Sequence, residues 1–279
     1  MAARRGSRRG RVASYAILVA ATVLALFPIF WTVSTSVKDR VDSYALPPRF
    51  FNFSPTWKNY RSLFGTSEFL RVFANTVVIT ISSTVLCVGV GGLAAYSLAR
   101  HRRFAGRRPM EAALVLVRAV PGVVLMVPLY ALVTRMGWYD SKPAMVVIYA
   151  AVNLPFAIWL MTGFIEQIPV EIEECARTDG AGPFSLFAFV ILPLALPGLA
   201  ATMIFVSLLT WNEFLIPVIM AGDNAKTLPV YISGFISNRT IDWGPMAAAS
   251  SLAIVPIVIL TVVIQRKLVS GLSSGAVKG

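Results

Sequence analysis

The chain has 279 residues, of which 57% are hydrophobic and 14% charged, with a mean hydropathy of +0.72. A water-soluble domain keeps about 25% charged residues and cannot hide uncharged runs of two dozen residues several times over, so a soluble fold is excluded and a bilayer is indicated. The formal charge of +12 lies between apolar runs instead of along one stripe, which excludes a nucleic-acid-binding surface.

Arg4, Arg5, Arg8, Arg9 and Arg11 precede an uncharged run of 26 residues, Val12 to Val37. That run is longer than the apolar core of a signal peptide and reads as a retained first span. Charge-free windows then predict spans at about 14–37, 72–99, 112–135 (interrupted by Arg118), 143–165, 198–220 and 244–265. The expected fold is therefore an all-α integral membrane protein with six transmembrane helices. Its organisation would be a basic cytoplasmic N-terminus at 1–13, a spanning region at 14–265 with a structured loop at 168–193, and a cytoplasmic tail at 266–279.

With both termini in the cytoplasm, 14 Lys/Arg fall on the inner side and ten in outer loops, in the direction that charge bias sets topology. The inner set includes Arg100, Arg102, Arg103, Arg107 and Arg108 after the second span. The outer connection Lys38–Arg71 carries Pro47, Pro48, Phe50, Phe51, Phe53 and Trp57, the composition of an interfacial aromatic belt. A second outer connection, Ala221–Trp243, holds Asp223, Asn224, Lys226, Asn238, Arg239 and Asp242. Cys87 and Cys175 have no metal-type spacing and imply no disulfide, and His101 reads as a solvated loop residue among arginines.

Gly180 to Asn212 is uncharged for 33 residues, yet Pro183, Pro193 and Pro197 divide it. They leave Phe184–Leu192 as a helix too short to span, expected to lie along the membrane or in a protein groove. Just before it, Ile168, Ile172, Cys175 and Ala176 recur at helical spacing, while Glu171, Glu174 and Thr178 share another face. Glu173 is expected to pair with Arg177 at i+4, and Asp179-Gly180 to end the helix, with glycine in the left-handed C′ conformation. A short acidic helix, a glycine stop and a second short apolar helix form a rigid protrusion that another protein can grip.

Glu174-Cys175-Ala176, Gly180 and Val190-Ile191-Leu192-Pro193 carry the spacing Glu-Ala-Ala, three residues, Gly, nine residues, Ile-x-Leu-Pro. In this the chain resembles the inner-membrane permeases of binding-protein-dependent ABC importers, with cysteine for the first alanine and valine for isoleucine. Trp211-Asn212-Glu213-Phe214, Pro128-Leu129-Tyr130 and the tail from Gln265-Arg266 through Gly271 to Gly279 are similar to the carbohydrate branch of that family, typified by the smaller maltose permease subunit.

The resemblance implies a type I importer permease fold in the bacterial plasma membrane and a coupling helix seated in a cleft of an ATP-binding subunit. Glu173, Glu174, Cys175, Ala176, Arg177, Asp179, Gly180 and Pro193 would make up the coupling segment, and Gly275–Gly279 a second contact. Implied partners are a second homologous permease, two ATP-binding subunits, an extracytoplasmic solute-binding protein and membrane lipid, with no nucleic acid. No cofactor is implied in this chain; ATP and Mg would be bound by the partner subunits. The implied cargo is a sugar or related solute, with glycerol phosphate as the alternative.

Polar groups within spans are costly in lipid and mark candidate cargo contacts. Trp211, Asn212 and Glu213 offer an aromatic face with hydrogen-bonding groups, although buried Asn and Glu can equally tie helices together. Arg118 can meet Glu213 or an anionic cargo group, or snorkel, or bond carbonyls freed by Pro121. Asn153 can cap carbonyls freed by Pro155 or line the path, and Pro155 is expected to kink the helix. Intramembrane protease, hydrolase and phosphate-loop motifs are absent, so the chain reads as a non-catalytic subunit. An ion-coupled transporter would show mid-membrane carboxylates in several helices, whereas Glu213 alone qualifies.

Overall fold

The computed structural model describes residues 8–101, 106–237 and 240–275. Arg4, Arg5, Arg102, Arg103, Asn238, Arg239 and the tail beyond Gly275 lie outside the described residues. The described residues fall into two compact units, one within Met1–Ser67 and Ile232–Val255, the other within Glu68–Tyr231 and Pro256–Gly279.

In the first unit, α1 (Arg8–Ser36) carries the first apolar run, and its side chains from Val12 to Phe30 are exposed. The predicted aromatic belt folds back onto its end: Phe50 meets Phe27 and Trp31, and Phe51 meets Phe30. Lys38 is buried, with Nζ 4.0 Å from the Trp31 ring centre and 5.0 Å from that of Phe53, an attraction of the cation to the ring quadrupoles. The short α2 (Arg40–Ser43) starts at Asp39, whose carboxylate accepts from the Arg40 N–H. From α3 (Lys58–Phe64), the Asn59 amide donates to the Ser36 and Lys38 carbonyls, each at 2.9 Å.

The second unit is built on α4 (Ser67–Arg100), long enough to cross a bilayer and continue beyond it. Its buried face includes Gly91, Gly92 and Ala95, and a Cβ on Gly91 would lie 3.2 Å from that of Ala157, so small residues set a close helix approach. The partner is α7 (Lys142–Ile165), capped by the Ser141 hydroxyl, which accepts from the Ala144 N–H. This helix runs through Pro155 without interruption.

The third expected span is two helices, α5 (Arg107–Ala119) and α6 (Gly122–Arg135), meeting at 93°. Pro121 disfavours helical geometry at the residue before it, and Val120 is extended at φ −71°, ψ 121°. After α7 come α8 (Val170–Thr178), then α9 (Pro183–Ser185), a π-helical turn over Leu186–Ile191 and α10 (Leu192–Leu194). This second short segment meets α11 (Leu196–Trp211) at 77°, so it does not extend the span. Phe184 and Phe189 are 77% and 76% exposed while Leu186 and Ile191 are buried, the pattern expected of a helix lying along a surface.

The fifth expected span also breaks: α11 ends at Trp211 and α12 (Leu215–Met220) follows. Beyond lie α13 (Leu228–Ser233) and α14 (Trp243–Gly275). Among the described residues four helices are long and apolar enough to span without a break, and six spans result when each bent pair counts as one.

A Cβ built on Gly198 at the start of α11 would lie 2.3 Å from Phe164 Cγ and 2.5 Å from Phe164 Cβ at the end of α7. Gly198→Leu therefore forces these helices apart. A loss of about 1–3 kcal/mol of stability is expected, read as a lower melting temperature of the detergent-solubilised protein; an unchanged one would contradict this packing.

Candidate functional site

The loop between α7 and α11 ends its first helix as the sequence indicates. Gly180 has φ +88°, its N–H donates to the Arg177 carbonyl and the Ala181 N–H to that of Ala176, both at 3.0 Å. This pair of bonds closes the helix C-terminus and leaves Asp179 exposed at the stop. Glu174, Cys175, Arg177, Asp179 and Gly180 are exposed, Ala176 is half-buried, and Pro193 lies in α10.

Of the residues at helical spacing, Ile168 is buried and Ala176 half-buried, while Ile172 and Cys175 are exposed, together with Val170. The residue that α8 buries is Glu173, 2% exposed. Its carboxylate receives the Arg100 Nε, and its other oxygen accepts from the Tyr96 hydroxyl at 3.1 Å. The expected i+4 pair with Arg177 is present at 4.0 Å, with Arg177 largely exposed. Arg100 is the closer partner: its side chain is buried and also donates to the Ile168 carbonyl at 3.0 Å, so its charge is compensated where Arg177 keeps its water. Tyr96 also packs on Phe187 in the π-helical turn, ring centres 5.4 Å apart. One end of α4 thus holds both halves of the loop.

The candidate cargo residues do not stay together. Trp211 is buried edge-on against Phe73, ring centres 6.1 Å apart, and lines a cavity of about 180 Å³ with Thr80 and Ser207. Asn212 is exposed, and its amide donates to the Leu208 carbonyl of its own helix. Glu213 sits in the break and accepts from the Leu215 and Ile216 N–H groups at 2.9 and 3.3 Å, capping α12. The sequence Trp-Asn-Glu reads as one cluster, but the helix ends inside it and sends the three side chains to different surroundings.

Arg118 lies in the last turn of α5, where the helix C-terminus favours a cation. Its guanidinium is 4.6 Å from the Phe156 ring centre. Among the described residues it forms no ion pair with Glu213. Asn153 donates to the Tyr149 carbonyl at 2.9 Å and to the Thr210 hydroxyl at 3.4 Å, joining α7 to α11. The carbonyl that Pro155 deprives of its helical donor is that of Ala151, so Asn153 does not cap it. Arg118, Asn153 and Glu213 nevertheless line one cavity of about 590 Å³, together with Tyr149 and Ala151.

At the far end of α4, the segment after α12 is clamped. Asp140, at φ +54°, accepts from the Gly222, Asn224 and Ala225 N–H groups and from the Asn224 amide, at 2.7 to 3.1 Å. Burial opposes its charge, but these donors outweigh burial and hold its carboxyl below the usual carboxylate range. A Cβ on Gly222 would lie 2.8 Å from the Asp140 carboxylate, so glycine is required there. Asn75 donates to the Asn224 and Lys226 carbonyls, and Lys226 pairs with Glu68 at 3.1 Å. Tyr96, Asp140 and Asn75 escaped the reading of the sequence, which placed Arg100 only in the inner basic set. Asp140 followed by Ser141 carries a turn signal, but nothing local announces the partners of any of the four.

Residues 88–274 match the family model described as binding-protein-dependent transport system inner membrane component. A probable ABC transporter permease protein, y4oR, of Sinorhizobium fredii is 37% identical over 91% of this chain and 90% of its own. The trehalose transport system permease protein SugB of Mycobacterium tuberculosis is 34% identical over 91% of this chain and 93% of its own. A crystal structure of a bacterial ABC transporter involved in the import of the acidic polysaccharide alginate contains a chain that superposes with a TM-score of 0.78. That match covers 95% of this chain and 99% of the other at 22% identity, a likeness of fold.

The Asp140 clamp titrates. A carboxyl held below its unfolded pKa contributes stability that is complete above the unfolded value and lost as pH falls through the folded one. Asp140→Asn is expected to melt lower than the native protein near pH 7, by a difference of about 1–3 kcal/mol. That difference should stay level down to about pH 5 and shrink below about pH 4, where the native carboxyl itself takes up a proton. A gap that does not change with pH would contradict the clamp.

Proposed function

The chain belongs to the family of binding-protein-dependent transport system inner membrane components, and from that membership we propose that this ABC importer permease carries a sugar or related polyol through the plasma membrane. The permease subunit is non-catalytic: a second homologous permease completes the path, two ATP-binding subunits supply hydrolysis with ATP and Mg, and an extracytoplasmic solute-binding protein delivers cargo. Both termini are cytoplasmic, in keeping with the 14 to ten division of Lys and Arg.

The observation that carries this reading is the loop 168–193. Its helix buries one acidic side chain and turns Val170, Ile172, Cys175 and Glu174 outward, while Phe184 stands free on the adjoining segment. An apolar patch edged by carboxylates suits a cleft with basic rims, where Glu174 and Asp179 meet arginine or lysine through charge-assisted hydrogen bonds. Glu173 belongs to the coupling segment as its anchor. The segment Ala221–Trp243, rigid where Asp140 holds it, faces the solute-binding protein.

The cavity lined by Arg118, Asn153 and Glu213 is the candidate cargo path of this chain. Two of these charges stand at helix ends exposed by the breaks in α5–α6 and α11–α12. Discontinuous helices are a recurrent way to bring polar groups to a path through lipid. The relative that transports trehalose supports a neutral sugar over glycerol phosphate. The cognate binding protein tests the cargo: trehalose and maltose should raise its melting temperature, and glycerol phosphate should not. The opposite result would overturn the sugar reading.

Gly180→Arg places a side chain at a left-handed position and a cation in the docking surface, and Glu174→Lys reverses a contact charge. Both variants should reach the membrane and abolish uptake of the labelled cargo; normal uptake by both would refute the coupling assignment. Glu213→Gln and Asn153→Ala should lower uptake roughly tenfold, as the loss of about 1.4 kcal/mol predicts, while ATP-binding subunits still copurify. Unchanged uptake in both removes this cavity from the path.

A further inference from the structure

The loop that docks the ATP-binding subunit is joined covalently to α7 and α11, but its buried polar contacts go to α4. Glu173 and Arg100 are 2% and 7% exposed. Such a pair is expensive to desolvate, and displacing one partner while the other stays buried leaves a charge uncompensated, so the two groups are driven to move together. Three further contacts act at the same place: Tyr96 donates to the second carboxylate oxygen, Arg100 donates to the Ile168 carbonyl, and Tyr96 packs on Phe187. Tyr96 and Arg100 are four residues apart and share one face of α4. Their contacts span the loop from Ile168, before α8, to Phe187, beyond the glycine stop.

We infer that Arg100 and Tyr96 are positioning residues that latch the coupling helix to α4, so that movement of the ATP-binding subunits is delivered to α4 through the Glu173 carboxylate. The inference rests on the coupling reading of the loop. On this account α8 and α4 move as one body, and the exposed residues of α8 grip the partner while its one buried acid grips the span. Glu174 and Glu173, adjacent in sequence, have opposite tasks: the first faces the engine and the second faces the bundle.

The test uses the importer assembled with its ATP-binding subunits. One nitroxide is placed by Gln167→Cys, exposed just before the Ile168 carbonyl that Arg100 holds and outside the docking face, and a second by Val85→Cys on an exposed position of α4, with Cys87 and Cys175 each replaced by alanine. Val85 is 11 residues before Tyr96, roughly 16 Å along the helix, which keeps the label separation within reach of pulsed electron resonance. The native complex should show the same distance and width without nucleotide and with ATP and vanadate. In Glu173→Gln the distance should shift or split once the nucleotide closes the ATPase pair. Tyr96→Phe, which leaves the ion pair in place, should broaden the distribution in the nucleotide-bound state and carries the comparison if Glu173→Gln does not assemble.

A native distance that changes on nucleotide binding overturns the latch. So does a variant whose distribution broadens equally in both states, since a contact that merely supports the fold would behave that way. A purified permease that brings no ATP-binding subunit with it overturns the coupling reading itself, which is a different failure from that of an assembled, ATP-hydrolysing complex whose α4 and α8 separate.

Discussion

Hydrocarbon offers no partner to a backbone N–H or C=O, so each place where this chain leaves helical geometry inside an apolar run must bring its own donors and acceptors. The break between α11 and α12 is satisfied by Glu213, whose carboxylate takes the first free N–H groups of α12, and by Asn212, whose amide returns to the Leu208 carbonyl. The break between α5 and α6 sits at Val120 and Pro121, where proline has no N–H to satisfy, and Arg118 stands at the carbonyl end of α5. The polar residues that look anomalous in the spans are thus the ones that make the breaks tolerable. The same breaks open a cavity, so the cost of irregular backbone and the provision of a polar lining have one cause.

Much of the architecture was legible in the sequence because it depends on local rules. Uncharged windows marked every apolar segment, the prolines at 183, 193 and 197 excluded an extra crossing, and Gly180 announced the helix stop that its φ of +88° delivers. The 93° bend between α5 and α6 was not legible, since a charge-free window has the same hydropathy whether its helix is straight or folded. Pro121 was visible, but Pro155 and Pro128 sit inside continuous helices, so proline alone does not tell a break from a tolerated kink.

The site was read less completely, and the reason is sequence distance. Arg177 is four residues from Glu173 and pairs with it at 4.0 Å as expected; Arg100, 73 residues away, is the closer and buried partner that no local rule announces. Periodicity put Ile168, Ile172, Cys175 and Ala176 on one stripe but does not say what covers it. Ile168 and Ala176 turn inward, Ile172 and Cys175 stay exposed, and Glu173 is buried because the core offers it a buried guanidinium. Trp211, expected as an aromatic face beside Asn and Glu, packs in the bundle against Phe73 with the ring planes at 81°.

Both polar clamps of the second unit converge on α4. Toward its start, Glu68 pairs with Lys226, Asn75 holds the carbonyls of Asn224 and Lys226, and Thr76 accepts from the Leu228 N–H. At its end, Tyr96 and Arg100 hold the loop that carries Glu173. Between Glu68 and Arg100 lie 32 helical steps, roughly 48 Å of rise, more than the hydrocarbon thickness. A single uninterrupted helix is stiff along its axis, whereas α5–α6 and α11–α12 each contain a break that can flex. Helix α4 therefore joins the two clamps as one unbroken rod, whereas the broken helices line the cavity. Other long-range polar contacts, Asn153 with Thr210 and Arg107 with Glu166, join its neighbours to one another.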